Sequence, residues 1–219
     1  MSEATKQFYS TLYRQYGTSC RSLSFSSADT QRVRFAVLRE VLPDDRDGAF
    51  SLLDVGCGFG DLYDYLREDG YNNVQYTGLD IMPEFVRHAT ATYPDGQFIA
   101  GDFLSIDLPQ ERYDYVLSSG ALNLVNERFP DHYELVFGMV DRMFQVARRA
   151  VAFNLLSLSG KRHFAQDQRF FYCDPQHVLD HCCRRVPGSE LDHDYLSYDF
   201  AIRSRLEHDP NAIQVDKEG

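Results

Sequence analysis

The chain has no apolar run near the roughly 20 residues that a bilayer crossing requires, so no membrane partner is expected. Its start, MSEATKQFYS, has neither the basic opening nor the apolar stretch of a secretory leader, which points to the cytoplasm. The five cysteines include the neighbours Cys182 and Cys183 but no CxxC pair at zinc-like spacing. Inert or buried thiols are the expectation, with no metal site. Positive charge is scarce as well: 22 Lys and Arg against 33 Asp and Glu give a formal net charge of −11. Long-range attraction to phosphate backbones is opposed, and no nucleic acid is expected as a partner. The Arg pairs in QVARRAVAF and HCCRRVPG fall at expected helix ends, where cations complement the dipole. Repeats and linkers are absent, and 219 residues fit a single domain over 1–206, followed by a frayed polar tail over 207–219.

What is present, from about residue 50 onward, is an alternation of short β-branched or aliphatic runs with helical patterns. That is the signature of a parallel sheet covered by helices, an α/β fold. Strands are expected at 51–55, 74–80, 97–102, 113–119 and 149–157. Helices are expected around Leu62–Leu66, from Pro83, over about 130–148 and from Pro175 to about Arg185. The segment SELDHDYLSYDFAIRSRL reads as a hairpin turning near Ser197.

Between the first strand and first helix lies LLDVGCGFGD, residues 52–61. A glycine-rich turn lets backbone approach a ligand and presents free N–H groups at a helix start. Gly56, Gly58 and Gly60 give GxGxG, and Asp61 stands where a dinucleotide fingerprint needs its third glycine. An acidic residue there would repel a pyrophosphate, so a less anionic ligand is expected. Asp80 ends the second strand, where a carboxylate can accept both ribose hydroxyls, and Asp102 ends the third, placed for an adenine amino group with Phe103 beside the ring.

With these motifs in register, the chain resembles the class I S-adenosylmethionine-dependent methyltransferases. The resemblance runs through LLDVGCGFGD, YTGLDIMPEFVRHA, FIAGDF and YDYVLSSGALNLV, covering about residues 50–125. It implies a Rossmann-like fold with a seven-stranded, mostly parallel sheet, an antiparallel terminal strand and helices on both faces. It also implies S-adenosylmethionine as cofactor. Gly56, Cys57 and Gly58 would then approach the methionine part and Asp54 its amino group. Asp80 would take the ribose, Ile81, Met82, Asp102 and Phe103 would surround the adenine, and Ser119 and Gly120 would stand beside the methyl donor.

In the helical segment DTQRVRFAVLREVL, Arg34 falls in the middle of the apolar face and Gln31 at its edge. An inward guanidinium needs an anion. Two readings are open: a clamp on the donor's carboxylate, or an ion pair with a buried Asp such as Asp54. Ahead of it, Phe8, Tyr9, Leu12, Tyr13 and Tyr16 form an aromatic stripe on N-terminal helices within 1–49, either core or a candidate lid.

The acceptor pocket is expected beyond the carboxyl ends of strands four and five. Tyr13, Asn123, Asn154, His163 and Tyr172 are its candidate lining, and His193 and Tyr195, placed inward on the hairpin with Leu191, are the candidate catalytic pair. The alternative for His193, a satisfied core histidine, is the more ordinary reading. The expected reaction is methylation of a small molecule at an oxygen, carboxylate or hydroxyl, by a monomer or homodimer. Alternatives are a protein or RNA methyltransferase and a non-catalytic donor-binding protein.

Overall fold

The computed structural model describes residues 3–108, 112–162 and 167–206, so the 207–219 tail lies outside the described residues. Two helices, α1 (Glu3–Tyr16) and α2 (Ala28–Arg39), flank a 3-10 turn at Cys20–Leu23. Strand β1 (Phe50–Val55) follows; Leu52, Leu53 and Val55 on it are at most 1% exposed. A strand apolar on both faces needs cover on both. The chain provides it by winding α3 (Asp61–Glu68), β2 (Val74–Asp80), α4 (Pro83–Thr92) and β3 (Gln97–Ala100) to one side of β1. It then crosses to the other side for β4 (Tyr113–Ser118), α5 (His132–Val146) and β5 (Ala147–Leu156). After α6 (Pro175–Cys183), the hairpin of β6 (Glu190–Asp192) and β7 (Asp199–Arg205) inserts β7 antiparallel to β5.

The resulting order, β3-β2-β1-β4-β5-β7-β6, is the seven-stranded α/β sheet implied by the resemblance. Leu53, Val55 and Val116 join a core with Val136, Val140 and Val178 of the α5 and α6 layer. Leu52 and Leu117 pack instead with Phe35, Leu38, Leu62 and Leu66 of α2 and α3. Each fully buried aliphatic side chain of this kind contributes about 1.5–3 kcal/mol. No helix among the described residues is long and apolar enough to cross a membrane.

Three local expectations are corrected. The α5 helix starts at His132 because the Asp131 carboxylate caps it, accepting from the Tyr133 N–H at 2.9 Å. It ends at Val146, since Ala147 already pairs with Tyr113; Arg148 and Arg149 therefore lie on a strand and pair with Asp114, not at a helix end. Strand β6 stops at Asp192, where the side chain accepts from the Asp194 N–H at 3.1 Å and turns the chain.

The aromatic stripe of α1 is a cover over the carboxyl ends of the strands: only Thr5 of that helix is buried. Tyr13 lies 5.9 Å from Phe59 and 5.7 Å from Phe85, ring to ring. Arg34 is buried as expected. Its Nε and Nη2 both lie 2.8 Å from Oδ2 of Asp199, and Nη1 donates to the Thr30 carbonyl at 3.2 Å. The ion-pair reading thus holds, with Asp199 in place of Asp54, and it ties α2 to β7.

Removing one partner of such a pair leaves an uncompensated buried charge. Arg34→Ala is expected to cost about 3–5 kcal/mol in urea unfolding, because Asp199 would keep only the hydroxyl of Tyr195. A loss below about 1 kcal/mol would mean that the pair does not hold the two elements together.

Candidate active site

The strand order reverses between β1 and β4, and the chain leaves the two carboxyl ends in opposite directions. A crevice opens there by topology alone. Its floor is the glycine loop. Gly56 and Cys57 donate to the Leu79 carbonyl at 2.7 and 3.1 Å, pinning the loop to β2. Gly56 has φ +82, and a Cβ on it would stand 2.3 Å from that of Ala121 in the loop after β4. Only glycine permits so close an approach.

The crevice encloses about 790 Å³, open solvent at its mouth included. Asp54, Gly56, Cys57 and Gly58 line it from the glycine loop, and Asp80, Ile81, Asp102 and Phe103 from the ends of β2 and β3. Ser119 and Gly120 close it from β4. The sequence therefore brings ten of the twelve expected donor-site residues into one wall. The two exceptions are Arg34, held by Asp199, and Met82. The Met82 side chain joins Phe59 and Phe85 in a separate aromatic cluster, while its N–H donates to Asp80 Oδ1 at 2.8 Å.

The carboxylates differ in how they are held. Asp80 also accepts from the Gly58 N–H at 2.9 Å, so each of its oxygens is fixed by backbone, with the Ile81 N–H as a third backbone donor. Asp54 accepts from the Tyr76 hydroxyl at 2.5 Å through Oδ2, but its Oδ1 is buried without a partner among the described residues. Burial pushes Asp54 up to about 7 and Asp80 up to about 6. The same desolvation, with the Asp80 and Asp54 charges, holds the Cys57 thiol well above its ordinary range. Asp61 is not part of the crevice wall and accepts from Gln31 Nε2 at 3.0 Å. Gln31 itself lines the crevice.

A second cavity, of about 1050 Å³ on the same measure, adjoins the first. Tyr9, Leu23, Phe25 and Gly120 belong to both walls. Of the expected acceptor residues, Asn123 and Tyr172 line this cavity. Asn154 stands behind it: its Oδ1 accepts the Gly120 N–H at 2.8 Å and its Nδ2 donates to Ser119 Oγ at 3.4 Å, holding the loop after β4. Tyr13 is in neither wall, being spent on the aromatic cluster, and His163 lies outside the described residues.

His193 and Tyr195 are also in neither wall. Because β6 ends at Asp192, both fall in the turn rather than on an inward strand face. His193 Nε2 meets Ser159 Oγ at 3.3 Å, and the Tyr195 hydroxyl donates to Asp199; burial, with the Asp199 charge added, holds that hydroxyl far above its usual range. Neither is positioned as a base. Sequence reasoning missed Leu23 and Phe25, which sit in a Ser-rich stretch without periodicity; Tyr9 was visible only as one member of the stripe.

Raised carboxylates make a testable prediction for the ligand-free protein. A group whose folded pKa exceeds its unfolded value adds stability that is complete below the unfolded value and lost as pH rises through the folded one. Asp54 and Asp80 should therefore lower the melting temperature as the pH rises from about 4 to about 7, and Asp54→Asn should flatten that decline. An identical pH slope in variant and wild type would contradict the placement of Asp54.

The crevice fits a donor that combines a cation with a nucleoside: an orphaned carboxylate oxygen, a loop with no room for a side chain, and a backbone-anchored Asp80. Comparison with known proteins agrees. A family model described as a methyltransferase domain matches residues 52–151. A Mycobacterium tuberculosis protein named as a methyltransferase is 34% identical over 161 residues, which cover 71% of this chain and 93% of that one. Malonyl-[acyl-carrier protein] O-methyltransferase of Acetivibrio thermocellus is 24% identical over 202 residues, 83% of this chain and 66% of the relative. The solved magnesium protoporphyrin IX methyltransferase from Synechocystis PCC 6803, with bound SAH, superposes with a TM-score of 0.65 at 14% identity, covering 94% of this chain and 95% of that one. Motif order, crevice and relatives converge: the chain belongs to the class I S-adenosylmethionine-dependent methyltransferases, with S-adenosylmethionine as its methyl donor.

Proposed function

We propose that the enzyme methylates an oxygen of a small molecule seated in the second cavity. The observation that carries this reading is the shared wall of Tyr9, Leu23, Phe25 and Gly120, which puts a compartment of small-molecule size directly beside the donor crevice. In this reading Asp54 Oδ1 accepts from the donor's amino group and Asp80 from the ribose hydroxyls. Asp102 accepts from the adenine amino group, with Ile81 and Phe103 against the ring, while Gly56 and Gly58 let the methionine part lie on backbone.

When bound, S-adenosylmethionine supplies an activated methyl on a sulfonium sulfur, so the protein's task is alignment and exclusion of water. The titratable groups of the second cavity suit an oxygen that needs no strong base. Asp167 is held by Arg169 through both carboxylate oxygens. Burial pushes the Tyr172 hydroxyl up, and burial with the Asp80 charge does the same to Tyr9. A carboxylate oxygen is already ionised at neutral pH and attacks without losing a proton. The O-methyltransferase among the relatives supports the same atom class.

Ser26, exposed and in the wall of the second cavity only, offers a selective block. Ser26→Trp is expected to leave S-adenosylhomocysteine affinity within about threefold of wild type and to lower methyl transfer to a small-molecule acceptor by roughly 50-fold or more. Acceptors come from a screen with methyl-labelled donor over organic acids, alcohols, a protein lysate and total RNA. Label confined to protein or RNA would overturn the reading.

A further inference from the structure

We propose that the second cavity selects organic acids by docking a carboxylate, distinct from the methylated oxygen, on the guanidinium edge of Arg34 and the hydroxyl of Ser24. The inference deepens the function proposed above and rests on assigning that cavity to the acceptor.

Arg34 is an unusual wall residue. Its side chain is only 6% exposed, yet it lines the second cavity and not the donor crevice. Nε and Nη2 are directed to Asp199, and one Nη1 hydrogen goes to the Thr30 carbonyl. A guanidinium has five N–H groups in a rigid fork, so one hydrogen on Nη1 and one on Nη2 remain. The two nitrogens carrying them form one edge, the geometry that takes a carboxylate in a bidentate manner. The guanidinium carbon stands 5.3 Å from the Phe25 ring centre and 5.6 Å from that of Tyr198, both cavity residues, so aromatic rings fix its plane.

The counter-charge does not cancel this edge. Asp199 is fully buried and absent from the cavity wall. Its second oxygen accepts from Tyr195, which draws the negative end of the pair further from the cavity. The cavity thus meets the positive end of an oriented dipole. The other charged wall residue, Asp167, is neutralised by Arg169.

Ser24 supplies a second, independent sign of a ligand. Its Oγ is buried and has no partner among the described residues, and the residue lines the same cavity. An unsatisfied buried hydroxyl is costly. Ser24 also has φ 63 and ψ 20 at the end of the Cys20–Leu23 turn, a left-handed conformation that glycine would adopt with less strain. A serine there keeps a hydroxyl at a position where backbone preference alone favours none. The hydroxyl donates to an anion and completes a site whose other half is Arg34. Since Arg34 is not in the wall shared with the donor crevice, the docked carboxylate sits away from the transferring methyl. The acceptor is therefore an acid with a second oxygen nucleophile, its apolar body lying along Phe170 and Tyr172.

Calorimetry on the full chain saturated with S-adenosylhomocysteine tests this, with glutarate, adipate, benzoate and 4-hydroxybenzoate as probes and their neutral amides as controls. Acids are expected to bind about tenfold or more tighter than amides, one charge-assisted contact's worth. Ser24→Gly, which suits the backbone, should weaken acid binding about fivefold to tenfold with no loss of melting temperature or of S-adenosylhomocysteine affinity. The doubly neutral Arg34→Gln/Asp199→Asn should abolish the acid preference. Should that variant not fold, Ser24→Gly decides alone. Equal binding of acids and amides, no binding of any acid, or an acid preference unchanged in Ser24→Gly overturns the proposal. If acids and neutral alcohols are methylated alike and Ser26→Trp blocks both, the carboxylate dock fails while the cavity assignment stands. If Ser26→Trp blocks neither, the assignment itself fails.

Discussion

A carboxylate oxygen buried without a partner is costly to keep ionised, and Asp54 Oδ1 is such an oxygen at the point where the sheet changes direction. The rest of the site can be read as the arrangement that keeps it there. Tyr76 satisfies the other oxygen, the glycine loop brings bare backbone alongside, and Asp80 stands close enough to raise its pKa further. A proton relieves this at the cost of the charge, and a ligand that brings positive charge into the crevice would relieve it with the charge kept, as proposed above for the amino group of S-adenosylmethionine. The negative wall thus follows from the strand order: Asp54, next to last on β1, and Asp80, last on β2, come to the same end of the sheet, 26 residues apart in sequence but on paired strands.

The N-terminal fifth of the chain adds what the sheet alone lacks, a roof and a second compartment. Helix α1 and the Cys20–Leu23 turn lay Tyr9 and Leu23 over the seam between the two cavities. The Arg34–Asp199 pair fastens α2 to the last strand and, through Tyr195, to the turn before it. One interaction therefore positions elements 165 residues apart in sequence. The cost of burying two charges is offset by their mutual attraction, by the Tyr195 hydroxyl on Asp199 and by the Thr30 carbonyl on Arg34.

The donor site was legible because its chemistry is written in local spacing. Glycines that need positive φ, aspartates at strand ends and Pro83 at a helix start each carry a backbone reason that survives in the sequence. The acceptor side was not, because it is assembled from segments without periodicity. The inward placement of His193 and Tyr195 assumed that strand alternation continued past Asp192; one side-chain-to-backbone hydrogen bond from Asp194 to Asp192 ends it. Arg34 was recognisable as an inward charge from helical spacing, but its partner lay on a strand near the far end of the chain, which no local pattern connects to it. Asn154 was legible as polar and close, and its use as a tether for Gly120 needed coordinates.

The most direct measurement is a crystal structure of the protein with S-adenosylhomocysteine. The account predicts its amino nitrogen about 2.7–3.2 Å from Asp54 Oδ1, with the ribose hydroxyls on Asp80 and the sulfur toward the wall shared with the second cavity. A bound molecule that leaves Asp54 Oδ1 without a contact, or that turns its sulfur away from that wall, would contradict it.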